Sequence, residues 1–129
     1  VYSMGCGGLE KVIVNLINAS KDYSCEHIIV TLTADHELVS LIDGKVSVYC
    51  VNKKPGKDLH CHWRLFKLFR QLQPDVINTY NFGTIEYQMV DKIAGIDLGV
   101  HSDHGRGGDD PLGKNKRNNA VRRFMSRFI

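Results

Sequence analysis

Short β-branched runs alternate with amphipathic stretches along the whole chain, and this alternation restricts the possible folds more than any other feature. Runs at 27–32, 46–51, 75–80 and 98–102 read as strands, and Val1-Tyr2 reads as the remnant of another. The first of them, His-Ile-Ile-Val-Thr-Leu, is the unbroken kind found in parallel strands buried on both faces. Between the runs, Leu9, Val12, Ile13, Leu16 and Ile17 recur at helical spacing and predict a helix over about 9–19. Leu38, Leu41 and Ile42 predict a short helical piece closed by Asp43-Gly44. Leu59, Trp63, Phe66, Phe69 and Leu72 form one stripe of a strong helix that Asp58 caps and Pro74 ends. Thr84 is placed to cap a further helix with Ile85, Met89, Val90 and Ile93 inward and Gly95 as its stop. The order predicts an α/β fold: a parallel sheet with helices on both faces.

In such sheets ligands bind beyond the carboxyl ends of the strands, near a topological switch point. That rule selects three loops, at 3–8, 80–84 and 103–110, all of which carry glycine, polar and ionisable residues. The first is Ser3-Met4-Gly5-Cys6-Gly7-Gly8, directly ahead of the first helix. Glycine there lets a ligand approach the backbone, and the helix start aims unpaired N–H groups at it, an arrangement suited to phosphate. The pattern is not a dinucleotide fingerprint, since Glu10 stands at the third glycine position, and no Gly-Lys-Ser/Thr follows to make a Walker loop. A plain flexible connection explains the same residues equally well.

With 129 residues one domain is expected, able to bury a core without staples. No apolar run approaches the roughly 18 residues of a membrane span. The chain opens without Met inside a strand and stops in mid-helix, so it reads as a fragment of something longer. Cys6, Cys25, Cys50 and Cys61 form no C-x-x-C pair, and Cys25 and Cys50 fall in or beside strands, which favours reduced core thiols in a cytoplasmic protein. His60-Cys61-His62 lacks the i, i+3 or i, i+4 spacing of helical zinc ligands, so no metal is expected. The basic loop at 52–57 reads as solvated rather than ligand-binding. The segment from Lys114 to Ile129 carries six of the seventeen basic residues and no acidic one, with Val121, Phe124, Met125 and Phe128 on one side. Such a helix can lie on an anionic membrane surface. The favoured reading is that it packs its apolar stripe on the sheet and leaves its charge in water. No nucleic-acid-binding motif is present.

Three stretches, in this order and spacing, carry a resemblance. Gly7-Gly8-Leu9-Glu10 precedes an apolar helix, Pro74-Asp75-Val76-Ile77 leads to Tyr80-Asn81, and Val100-His101-Ser102-Asp103-His104-Gly105-Arg106 follows. Together they resemble glycosyltransferase family 4, the group 1 glycosyltransferases, and most closely its exopolysaccharide-type sugar transferases. The likeness covers the N-terminal, acceptor-side Rossmann-like domain of a two-domain GT-B enzyme. It implies retaining transfer of a sugar from a nucleotide-diphosphate-sugar to the hydroxyl of a glycan or lipid-linked acceptor, without a bound metal or other cofactor. It also implies a cytoplasmic enzyme, whose basic helix could rest on the inner membrane face.

The resemblance assigns Gly7 and Gly8 to the donor diphosphate or sugar, and places His104 against the donor sugar ring. Arg106 is added as a phosphate or acceptor contact, and Asn81 with Tyr80 as acceptor contacts. Asp103 would orient His104 or an acceptor hydroxyl; an exposed loop carboxylate is the equal alternative. Asn78 stands where many relatives have histidine, so acceptor handling is expected to differ there. The family's donor-binding half, with most of the groups that stabilise the leaving diphosphate, is absent from these residues, and the piece alone is expected to be inactive. Two other readings stay open: a nucleotide- or phospholigand-binding module of Rossmann or flavodoxin type without transferase activity, and a membrane-surface docking domain.

Overall fold

The computed structural model describes residues 1–104 and 112–127. The chain divides into two compact units, Val1–Pro55 and Gly56–Ile129. Both are α/β, with parallel strands and helices, as the alternation predicts.

In the first unit, helix α1 (Gly8–Ala19) is followed by β1 (Ile28–Thr31), a 3-10 turn at Glu37–Leu41 and β2 (Ser47–Cys50). The strands pair in parallel from Ile28↔Ser47 to Thr31↔Cys50. Val1 and Tyr2 are not a full strand, yet they run beside the end of β1: Leu32 N donates to the Tyr2 carbonyl at 3.0 Å and Thr33 N to the same oxygen at 3.1 Å. Helix α1 buries Ile13, Val14 and Ile17 and leaves Val12 and Leu16 exposed, so its buried face is turned by about one residue from the expected stripe. Residues 12–14, 16 and 17 are all apolar, an arc too wide for periodicity to fix its centre. Ser20 ends the helix by donating its hydroxyl to the Leu16 carbonyl at 2.8 Å. The four cysteines are free, but Cys61 alone is buried; Cys25 is exposed because it sits in the turn ahead of β1 rather than in the strand.

In the second unit, α2 (Leu59–Leu72) leads to β3 (Val76–Tyr80), a 3-10 turn at Phe82–Tyr87, α3 (Gln88–Ala94), β4 (Leu98–Ser102) and α4 (Lys116–Met125). Asp58 caps α2 as expected, accepting from Cys61 N at 3.2 Å and pairing with Arg64 at 2.8 Å. Gln73 ends the helix in the left-handed region (φ 45°), immediately before Pro74. The buried positions are Cys61, Leu65 and Phe69, a perfect i, i+4, i+8 line. Leu59 is 80% exposed and Trp63 56%, contrary to the expected stripe; Trp63 instead stacks on Phe66 at 5.3 Å with the Lys67 ammonium 5.2 Å from its ring.

Strands β3 and β4 pair in parallel from Val76↔Leu98 to Tyr80↔Ser102. Thr84 does not cap α3. Its hydroxyl donates back to the Tyr80 carbonyl at 2.6 Å inside the 3-10 turn, and α3 begins only at Gln88. Gly95 stops α3 at φ 87°, as expected. Ile85 and Val90 are buried, whereas Ile93 is exposed and the polar Gln88 and Asp91 are fully buried in its place. Asn115 caps α4, accepting from Arg117 N at 3.1 Å and Asn118 N at 3.2 Å. No helix among the described residues is long and apolar enough to cross a membrane.

Candidate functional site

The carboxyl ends of β3 and β4 finish level, and Asn81 N donates to the Ser102 carbonyl at 2.9 Å, extending the ladder one residue past Tyr80. Side chains on one face of the pair are linked in series: Ser102 Oγ donates to Asn78 Oδ1 at 3.1 Å, and Asn78 Nδ2 donates to the Tyr80 hydroxyl at 3.0 Å. Residues 78, 80 and 102 share that face because side chains alternate along a strand. Asn78 therefore holds the Tyr80 phenol in place. Burial raises the Tyr80 pKa above its ordinary value. On the opposite face Thr79 Oγ1 and His101 Nδ1 share a hydrogen bond of 2.8 Å. Burial holds the His101 pKa below its ordinary value; nearby Asp103 works against that shift and Arg122 with it.

Beyond the strands the two loops are joined. Asn81 stands at φ 60° and ψ 169°, a region a non-glycine residue occupies only under strain, and its Oδ1 accepts from His104 N at 2.7 Å. The Tyr80 and His104 rings lie 6.0 Å apart, tilted by 37°. Asp103 Oδ2 is engaged by Arg122 Nε of α4 at 3.0 Å, and the Arg122 guanidinium lies 4.9 Å from the centre of the Phe82 ring. Tyr80, Asn81, Asp103 and His104 are thus brought together, and the carboxylate of Asp103 faces α4. Arg106 lies outside the described residues. Arg122 is the residue that sequence reasoning missed. It is one of several cations in a basic helix, and only a contact nineteen residues back along the chain sets it apart.

The glycine loop belongs to the first unit. Gly7 is the N-cap residue of α1 in extended geometry (φ −146°, ψ 167°), with no side chain closing the helix end. None of Gly5, Gly7 and Gly8 has positive φ, so backbone conformation does not explain them. Close approach does for two of the three. A Cβ on Gly5 would run into the Asp35 carboxylate, and one on Gly7 into the carboxylate of Glu10. Gly8 has open space on that side. The positive end of the α1 dipole is therefore already faced by the chain's own Glu10, and an arriving phosphate must share or displace that charge. Gly8, the exposed first residue of α1, is the one of the three at which an added Cβ would meet nothing.

Among the described residues, no three His, Cys, Asp or Glu side chains gather as metal ligands. No curated protein matches the chain. The family model for Glycosyltransferase Family 4 matches residues 6–129.

Proposed function

Because the chain belongs to glycosyltransferase family 4, we propose that it supplies the acceptor-side groups of a retaining sugar transferase of the exopolysaccharide type. In this reading a sugar passes from a nucleotide-diphosphate-sugar to a hydroxyl of a glycan or lipid-linked acceptor. The bond from the anomeric carbon to the diphosphate breaks, the acceptor oxygen bonds that carbon, and the hydroxyl proton leaves with the departing phosphate. The reading as a binding module without transferase activity is not favoured by the family match.

The observation that supports the reading most directly is the joining of Tyr80, Asn81, Asp103 and His104 at the carboxyl ends of two parallel strands. His104 is exposed, and its backbone N–H, not its ring, is spent on Asn81, so the imidazole is available to the donor sugar. The Asn81 amide nitrogen and the Tyr80 hydroxyl are suited to acceptor hydroxyls. Within the first unit, taken by itself, Gly8 would let a phosphate approach the start of α1.

Gly8→Ala separates this reading from a purely structural one. Replacing glycine by alanine where φ is negative reduces the freedom of the unfolded chain and stabilises by about 0.4–1 kcal/mol, and its Cβ meets nothing here. In the full-length protein the expected outcome is unchanged or raised thermal stability with at least about a tenfold loss in release of nucleoside diphosphate from a panel of UDP-, GDP- and dTDP-sugars. Unchanged turnover in a donor the wild type uses would remove Gly8 from phosphate binding.

A further inference from the structure

The two loops of the candidate site are tied together twice. The inner tie is the hydrogen bond from His104 N to Asn81 Oδ1, 2.7 Å long. The outer one is Arg122, which reaches from α4 to both loops at once. Its Nε donates to Asp103, the neighbour of His104, and its guanidinium lies against Phe82, the neighbour of Asn81. A guanidinium is suited to this because its edge takes a carboxylate while its flat face stacks on a ring. The other cations of α4 behave differently: Lys116, Arg117 and Arg123 are exposed, whereas Arg122 is half-buried.

From this geometry, and resting on the transferase reading above, we infer that Arg122 is a positioning residue: a brace from α4 that sets the spacing between the acceptor loop at Asn81 and the loop bearing His104. It touches neither donor nor acceptor. With Asp103 bound to it, that carboxylate is held away from base chemistry and serves as the anchor of the brace. The spacing matters because a reacting pair displaced by about 1 Å loses on the order of a hundredfold in rate. Arg122→Lys keeps the charge but not the flat face or the Nε geometry, and should restore part of the function.

Two measurements on the full-length protein test this. The first needs no substrate: hydrogen exchange of the His104 amide, which the Asn81 bond protects. Exchange should quicken about tenfold in Arg122→Gln and by less in Arg122→Lys. The second follows nucleoside diphosphate release from UDP-glucose, UDP-galactose and GDP-mannose. For a donor that is turned over, kcat should fall about tenfold or more in Arg122→Gln, with donor KM within about twofold and partial recovery in Arg122→Lys. Phe82→Leu, which removes only the ring contact, should shift both readouts in the same direction and by less. Unchanged His104 exchange in Arg122→Gln overturns the inference, as does a wild-type kcat in that variant when His104→Ala is dead. A fall in kcat matched by loss of folded protein, with no recovery in the lysine variant, also overturns it. If His104→Ala is as active as wild type, the transferase reading of the site fails instead, and the exchange result still decides whether Arg122 is a brace.

Discussion

At the scale of single residues, Asn81 carries the clearest cost and the clearest reason for it. Its backbone sits where only glycine is at ease, at a cost of about 1–3 kcal/mol, and its side chain offsets this by holding His104 N. Asn81→Ala keeps the strain and loses the bond, so it should destabilise by about 1–3 kcal/mol in urea denaturation. Asn81→Gly relieves the strain as it loses the bond, and its change should stay within about 1 kcal/mol. Asp91 gives a pH signature. Burial pushes its carboxyl up to about 6, against 3.8 for the free group, although Lys92 N donates to it at 2.9 Å. A raised acid binds its proton more tightly in the folded state, so stability falls as pH climbs from about 4 to 6 and the full penalty persists above. Asp91→Asn keeps an acceptor for Lys92 N. It should stabilise by about 1–2 kcal/mol at pH 7, with no gain at pH 3.5. His101 acts with the opposite sign: its lowered pKa makes the fold lose stability as pH falls through about 6.5. Neither burial was legible beforehand. Both depend on which way a helix and a strand face, not on residue type.

At the scale of elements, the sequence located nearly every segment and misjudged several faces. The strands lie within a residue or two of the runs at 27–32, 46–51, 75–80 and 98–102, because β-branched residues between turn signals mark them locally. The Asp58 cap and the Gly95 stop were legible for the same reason, since each acts on its own backbone. Faces are settled by what packs against them. In α2, both the Leu59–Trp63–Phe66 line and the Cys61–Leu65–Phe69 line fit helical spacing, and the second is buried. Leu65→Ala should therefore cost about 2–5 kcal/mol in thermal or urea unfolding, and Trp63→Ala less than about 1 kcal/mol despite its larger side chain. The site was half legible. The strand-end rule picked out the loops holding Tyr80, Asn81, Asp103 and His104, but no local pattern announces that Arg122 joins them.

At the scale of the whole molecule, the two compact units meet in sequence at Pro55 and Gly56, within a stretch where Lys54, Pro55, Gly56 and Lys57 are all exposed. Brief digestion with proteinase K should cut first within 52–57, read by mass spectrometry, ahead of any site in α1 or α2. Cleavage elsewhere first would mean that this connection is better protected than its exposure suggests. The parallel pairings carry a consequence of their own. Each strand finds its partner within its own unit, Ile28 opposite Ser47 and Val76 opposite Leu98, with one crossover apiece. Once synthesis has passed Pro55 and that stretch has left the ribosome, both members of one strand pair and helix α1 have already been delivered. Nascent chain can begin to organise there before any of the residues that gather around His104 has emerged.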